Sequence, residues 1–139
     1  MAEGMAPNWP AMKIAAANAA LAGAGSPVEL EDAIIRGVPL KVYKNAPPTI
    51  PSILEAAAAQ FADRTYLVYQ NERVTFRALH LASRTLAKAL QSRFDVAKGD
   101  RVAVIMRNYP EWPLGFYAAL STGAITTPMN SWWTAEELE

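Results

Sequence analysis

No cysteine occurs among the 139 residues, which excludes disulfides and thiolate zinc sites and gives no sign of an oxidising compartment. There is one histidine, His80, and a single imidazole does not build a histidine metal site. An excess of either charge is also missing. The 13 basic and 13 acidic residues cancel, leaving no electrostatic footprint for nucleic acid or an anionic membrane surface. No apolar run is long enough to cross a bilayer. Hydrophobic residues make up 52%, enough for one small domain or part of a larger one, but many are alanines, which bury little area each.

What is present is best followed along the chain. Residues 1 to 11 read as a loose leader, and Met12 to Ala22 predict a soft amphipathic helix ended by Gly23 and Gly25. The same stretch superficially resembles a secretion signal. Glu3 and Trp9 upstream and Asn18 inside the run argue against that, so the expectation is a cytoplasmic protein, with peripheral membrane contact left open. SPVELEDAII, from Ser26, carries a cap-like serine, a proline and three acids, which predict a helix stopped by Gly37 and Pro39. KVYKNAPPT reads as an extended tether, because Pro47 and Pro48 restrict the residues before them. The organisation expected is therefore a leader and N-terminal helical extension over 1–43, followed by a partial domain over 44–139.

Within 44–139 the periodicities are clearer. ILEAAAAQFADR, after Pro51, predicts a helix with Ile53, Leu54, Ala57 and Phe61 on one side. TYLVYQNERVTF predicts a β-hairpin turning at Gln70-Asn71-Glu72, with Asn71 as the residue suited to a left-handed conformation. Thr75 caps a long helix to about Phe94, with Phe76, Leu79, Ser83, Leu86 and Leu90 facing inward. RVAVIM is apolar on both alternating faces, as in a parallel strand covered by helices. A helix opening near Asn108 and Pro110, the left-handed cap candidate Gly123 and the short strand AITTP complete a β-α-β unit over 101–127. Thr134 and Glu137 match a capping box, so a helix opens just as the chain ends. That arrangement predicts a truncated piece of a longer protein.

VTFRALHLASRTLAKAL, KGDRVAVIMRNYPEW and ALSTGAITTPMNSWWTAEELE, in this order and spacing, resemble the N-terminal region of the adenylate-forming (AMP-binding) enzymes, and within them the acyl-CoA synthetases, or fatty-acid–CoA ligases. The resemblance covers roughly Lys44 to Glu139 and implies an α/β fold: the N-terminal part of a synthetase large domain, with its parallel sheet incomplete in this chain. It implies activation of a fatty or other hydrophobic carboxylate with ATP and magnesium to an acyl-adenylate, then transfer to coenzyme A. The phosphate loop, the magnesium-binding acid and the lid lysine of such enzymes lie beyond this region. No catalytic or metal residue is therefore carried over, and the chain alone is expected to be inactive and to hold none of these cofactors. Its expected partners are the remainder of its own chain and, through uncovered apolar surface, other copies of itself.

Departures from the family pattern sharpen the reading. Ala78 stands where relatives carry the acid of a capping box, a loss of about 0.5 kcal/mol or less if Thr75 still caps. Pro113 sits near the first intrahelical hydrogen bond, and Met129 replaces an aliphatic residue. Trp132-Trp133 occupies a place where some relatives carry a basic residue near the coenzyme A entrance, which puts a phosphate contact from this segment in doubt. The pair reads either as aromatic closure over the core or as a ligand face touching an acyl chain or the adenine of coenzyme A. Ser121-Thr122-Gly123 lacks the lysine and second glycine of a phosphate loop and reads as a helix end, and His80 as a packing or surface residue. Two other functional readings stay open: an amino-acid-activating domain of peptide synthesis, and a non-catalytic interaction module of the same fold.

Overall fold

The structure is a computed structural model that describes residues 13–26 and 28–139. The leader and Met12 lie outside the described residues. The chain divides after Ala46 into two compact units.

The first unit contains helix α1 (Ile14–Leu21), which buries no residue. It then departs from expectation. The stretch after Ser26 is not a helix but an antiparallel hairpin, β1 (Leu30–Ile35) with β2 (Val38–Tyr43). The acids that suggested a helix N-terminus have other work. Glu29 accepts from Lys44 Nζ and from the Gly25 N–H, each at 2.8 Å, and Asp32 accepts from Lys41 Nζ at 2.6 Å. Arg36 and Gly37, with φ of 50° and 84°, form the two-residue turn, the left-handed pair that matches strand twist. Pro39 is tolerated because it pairs with Ile34, one position from the closing pair Ile35 and Val38. In such a hairpin that second pair exchanges no hydrogen bonds, so the missing N–H costs no ladder bond. The expected tether accordingly shrinks, since Lys41 to Tyr43 belong to β2.

The second unit opens with helix α2 (Ile50–Phe61), one residue before Pro51. Thr49 and Ser52 cap it reciprocally: the Ser52 N–H donates to Thr49 Oγ1 at 3.2 Å, and the Thr49 N–H to Ser52 Oγ at 3.3 Å. Leu54 and Ala58 are its buried residues, whereas Ile53, expected inside, is exposed. The hairpin β3 (Thr65–Tyr69) and β4 (Glu72–Thr75) follows as expected, but its left-handed residue is Gln70, with φ 47°, and not Asn71. Helix α3 (Phe76–Phe94) is capped by Thr75, whose hydroxyl accepts from the Ala78 N–H at 3.1 Å. Half of the capping box therefore survives the loss of its acid.

Strands β5 (Arg101–Ile105) and β6 (Ile125–Met129) are parallel and joined by helix α4 (Glu111–Ser121), the predicted β-α-β unit. Pro113 is the third residue of α4, where a backbone N–H has no intrahelical partner in any case, so it removes no bond. Helix α3 packs against both α2 and α4. Ser83, Ala87, Ala118 and Ala119 are all buried, and their small size lets the helices approach closely around Leu79. Val104 is buried against α4, whereas Ile105 on the other face of β5 is 47% exposed and Ile125 of β6 is 57% exposed. Among the described residues only one face of this parallel pair is covered. Helix α5 (Ala135–Leu138) ends the chain, with the Thr134 N–H donating to the Glu137 carboxylate at 2.8 Å.

Candidate functional site

The C-terminal ends of parallel strands are where open α/β sheets usually receive ligands, because the connections diverge there and leave a crevice. Strands β5 and β6 end side by side at Ile105 and Met129, which are register partners. The segments leaving them, Arg107-Asn108 and Asn130-Ser131-Trp132, border a cleft of about 450 Å³, with Trp112 of α4 as a further wall. Trp112 is itself held by stacking on Phe116, with centroids 5.2 Å apart.

Two local bonds shape the exit from β6. Asn130 Oδ1 accepts the Trp132 N–H at 3.1 Å, and Asn130 O accepts the Trp133 N–H at 3.2 Å. The turn they make carries Trp132 back toward the end of β5. There the Arg107 guanidinium lies over the indole, 4.2 Å from its centroid. The two sequence candidates thus have different places. Trp132 lines the cleft and is 72% exposed, whereas Trp133 lies outside the lining and is 43% exposed. Arg107 and Asn130 were missed from the sequence, and the residues bordering the cleft include no carboxylate.

The other candidates fall elsewhere. His80 lines a larger groove of about 710 Å³ together with Lys98 and Gly123, which precede β5 and β6 at the opposite ends of the strands. Ser121-Thr122-Gly123 closes α4. Thr122 Oγ1 is buried and donates to Ala119 O at 2.7 Å, and Gly123 turns left-handed with φ 84°. These groups are committed to ending a helix, as read from the sequence. Burial pushes the Tyr117 hydroxyl above the usual tyrosine range, with the neighbouring Tyr66 adding to the shift, but Tyr117 does not border the cleft. Among the described residues no group of three or more His, Asp or Glu side chains is placed to hold a metal. The cleft can bind and orient, and its lining holds no carboxylate or imidazole to serve as acid or base. The donor set does not fit magnesium, which favours carboxylate oxygens that this lining lacks.

Comparison with known proteins identifies the fold and the family. The chain is 34% identical over 102 residues to a long-chain-fatty-acid–CoA ligase of Salmonella typhimurium, a match covering 73% of this chain and 18% of that protein. A long-chain-fatty-acid–CoA ligase of Bacillus subtilis is 36% identical over 91 residues, covering 66% and 16%. Among solved structures, the N-terminal subdomain of NpsA from Klebsiella oxytoca superposes with a TM-score of 0.61 at 30% identity, covering 63% of this chain and 23% of that one. A structure named as a long-chain-fatty-acid CoA ligase from Rhodopseudomonas palustris gives 0.60 at 33% identity, covering 65% and 23%. The chain therefore spans less than a fifth of the length of the curated relatives it matches, and its α/β fold is that of the N-terminal subdomain of adenylate-forming enzymes. The pattern of the AMP-binding enzyme family matches residues 54–139, most of the second unit, and the chain belongs to that family.

Proposed function

We propose that residues 44–139 are the N-terminal part of the large domain of an acyl-CoA synthetase, an ATP-dependent acid–thiol ligase. The parent enzyme activates a fatty or other hydrophobic carboxylate to an acyl-adenylate and passes it to coenzyme A. The observation that carries this reading is the run of long-chain-fatty-acid–CoA ligases among the relatives, beside a family pattern over residues 54–139 that takes in the β-α-β unit. In such a reaction the protein's largest task is to bring anions together and hold them, and binding surfaces at strand ends serve that task. The groups that grip ATP and magnesium belong to segments outside these residues, so this chain contributes scaffold and one wall of the ligand face. The 139-residue chain alone is inactive. Trp132 and Trp133 are the candidates for contact with acyl chain or coenzyme A.

Two measurements test the reading. The gene's whole reading frame is expressed and supplied with ATP, magnesium, coenzyme A and a panel of fatty acids, and pyrophosphate and acyl thioester are quantified. Thioester from hydrophobic acids supports the proposal. The 139-residue chain should release no pyrophosphate above background, and turnover that persists through repurification contradicts its assignment as scaffold. A second reading draws on NpsA, whose solved structures include an artificially fused adenylation–PCP di-domain named as a nonribosomal peptide synthetase. Under that reading the parent activates an amino or aryl acid and loads a carrier protein. Pyrophosphate exchange driven by such acids, with no coenzyme A thioester formed, selects it.

A further inference from the structure

The groove at the other ends of β5 and β6 has a patterned rim. His80, Arg84, Lys88 and Gln91 border it from α3, each three or four residues after the last, so they stand in one row along the helix. Lys98 adds a third cation from the segment before β5. Against these cations the lining sets one carboxylate, Glu55 of α2, and among the described residues none of the four charged groups forms an ion pair. Beside the row, Ser83 and Ala87 are buried at 1% and 6% exposure, so no large side chain fills the floor there. The Ser83 hydroxyl has no hydrogen-bond partner among the described residues, an uncommon state for a buried polar group.

The spacing selects the shape of what fits. Arg84 and Lys88 are about 6 Å apart along the helix axis, and the row from His80 to Gln91 runs about 16 Å. A single phosphate or carboxylate is too small to serve the whole row. An extended polypeptide places alternate side chains about 7 Å apart on one side, so acids two positions apart match the two cations, and about five residues cover the row. Its backbone, laid over Ser83 and Ala87, offers the unpartnered hydroxyl a donor or an acceptor. Single-stranded nucleic acid is also a row of charges, but it is held by aromatic rings that stack its bases, and this lining contains no Phe, Tyr or Trp. We propose that the groove receives an extended acidic segment of a separate protein, with alternate carboxylates on Arg84 and Lys88 and with Lys98 as the further cation. Charge complementarity and the length of the row support this occupant, and neither depends on the ligase reading.

The 139-residue chain is titrated at low salt with a labelled pentapeptide carrying glutamate at alternate positions. Comparison probes are the same peptide with glutamine for glutamate, one with its glutamates adjacent, an oligothymidylate of equal length, and inorganic phosphate. Affinity is read by fluorescence anisotropy or competition, and the place of binding by the NMR signal of His80, whose imidazole is the chain's one histidine ring and needs no assignment. The alternating peptide should bind saturably and shift the His80 signal. The glutamine peptide should bind about tenfold more weakly or worse, and the peptide with adjacent glutamates by an intermediate factor. Arg84→Gln and Lys88→Gln should each weaken the alternating peptide about two- to fivefold, and the pair together about tenfold. Arg93→Gln removes the same charge from α3 outside the groove and should leave affinity unchanged. Added salt should weaken binding in wild type more than in the double variant. Arg84, Lys88 and Arg93 are exposed, so all of these variants should melt as wild type does, which separates a binding defect from an unfolded protein. An unmoved His80 signal with a native spectrum, equal affinity for the glutamine peptide, or an Arg93→Gln as damaging as Arg84→Gln overturns the proposal. Tighter binding of the oligothymidylate or of phosphate overturns the assignment to an acidic polypeptide. None of these outcomes bears on the ligase reading, because thioester formation by the parent is measured separately.

Discussion

Replacing Gly123 by alanine should destabilise the second unit by about 1.5–3 kcal/mol, whereas the same change at Gly115 should be neutral or stabilising by about 0.5–1 kcal/mol. The contrast follows from geometry. Gly123 has φ 84°, a left-handed conformation that costs an L-residue about 1–2 kcal/mol. A Cβ there would also lie 3.1 and 3.2 Å from the Lys98 side-chain carbons and 3.5 Å from its Cα. The side chain can retreat by a few tenths of an ångström and the backbone cannot, which adds a smaller strain. The position matters because Gly123 O accepts the Gly99 N–H at 3.1 Å and Ile125 N donates to Asp100 O at 2.7 Å. Together these bonds align the entries of β5 and β6. Gly115 lies inside α4, and its nearest neighbour for a Cβ is Val104 Cγ1 at 3.9 Å, an ordinary contact. Alanine there removes chain entropy from the unfolded state without strain. Urea unfolding followed by tryptophan fluorescence should separate the two variants in midpoint at constant slope. Gly123→Asn, which tolerates the left-handed region better, should fall between Gly123→Ala and wild type. Equal stabilities for the two alanine variants, or a Gly115→Ala worse than Gly123→Ala, would refute the argument.

Leu79, 2% exposed, is the largest apolar side chain at the centre of the second unit, and Leu79→Ala should cost about 2–5 kcal/mol in the same assay. In the parent enzyme, Trp132→Ala should weaken coenzyme A or acyl-chain binding by about 1–3 kcal/mol, read as a raised KM. Its melting should hardly change, because the ring is mostly exposed, and a large loss of stability with unchanged KM would make the residue structural. The Tyr117 pKa is raised by burial, so its contribution to stability is fully present below the ordinary tyrosine value and lost as pH rises through the folded one. The stability difference between wild type and Tyr117→Phe should therefore be flat to about pH 10 and shift against wild type above it, and a flat difference to pH 12 contradicts this. The uncovered face carrying Ile105 and Ile125 should drive self-association of the 139-residue chain, and Ile125→Lys should reduce it in sedimentation, whereas a wild-type monomer at high concentration sinks the idea.

The second unit was largely legible because independent local signals agreed. At α3, the Thr75 cap, the three-and-four spacing and the absence of internal glycine or proline all name one helix between the same limits. In β5, an apolar run after a Lys98-Gly99-Asp100 turn has no helical alternative of adequate length. The first unit misled because its signals conflicted. Ser26, Glu29, Glu31 and Asp32 have the chemistry of a helix start but no helical stripe behind them. The decisive feature was the pair Arg36-Gly37, whose left-handed turn closes a hairpin between β-rich ends. Acids near a helix start suit the helix dipole, but here the Asp32 and Glu29 carboxylates pair with Lys41 and Lys44 of the hairpin. At the second hairpin, residue preference favours Asn71 for the left-handed position, yet in the two-residue loop between Tyr69 and Glu72 it is Gln70 that takes it.

The cleft failed to emerge from the sequence for a different reason, and that reason suggests how to find others like it. Arg107 and Trp132 are 25 positions apart, so no helical or strand period relates them. What relates them is the crossover. Once β5 and β6 are taken as parallel, the crossover length and the facing apolar runs set Ile105 opposite Met129. Residues just beyond paired strand ends then converge, and Arg107 and Trp132 stand two and three positions past those partners. The β-α-β unit is legible in the sequence, and its two exits compared as a pair set a cation beside the aromatic. The same step bears on the departure noted at Trp132-Trp133, because a charge absent from one exit can be supplied by its neighbour. In a parallel sheet, the polar residues of a strand-end site are a property of adjacent connections, and a single connection read along the chain underestimates them.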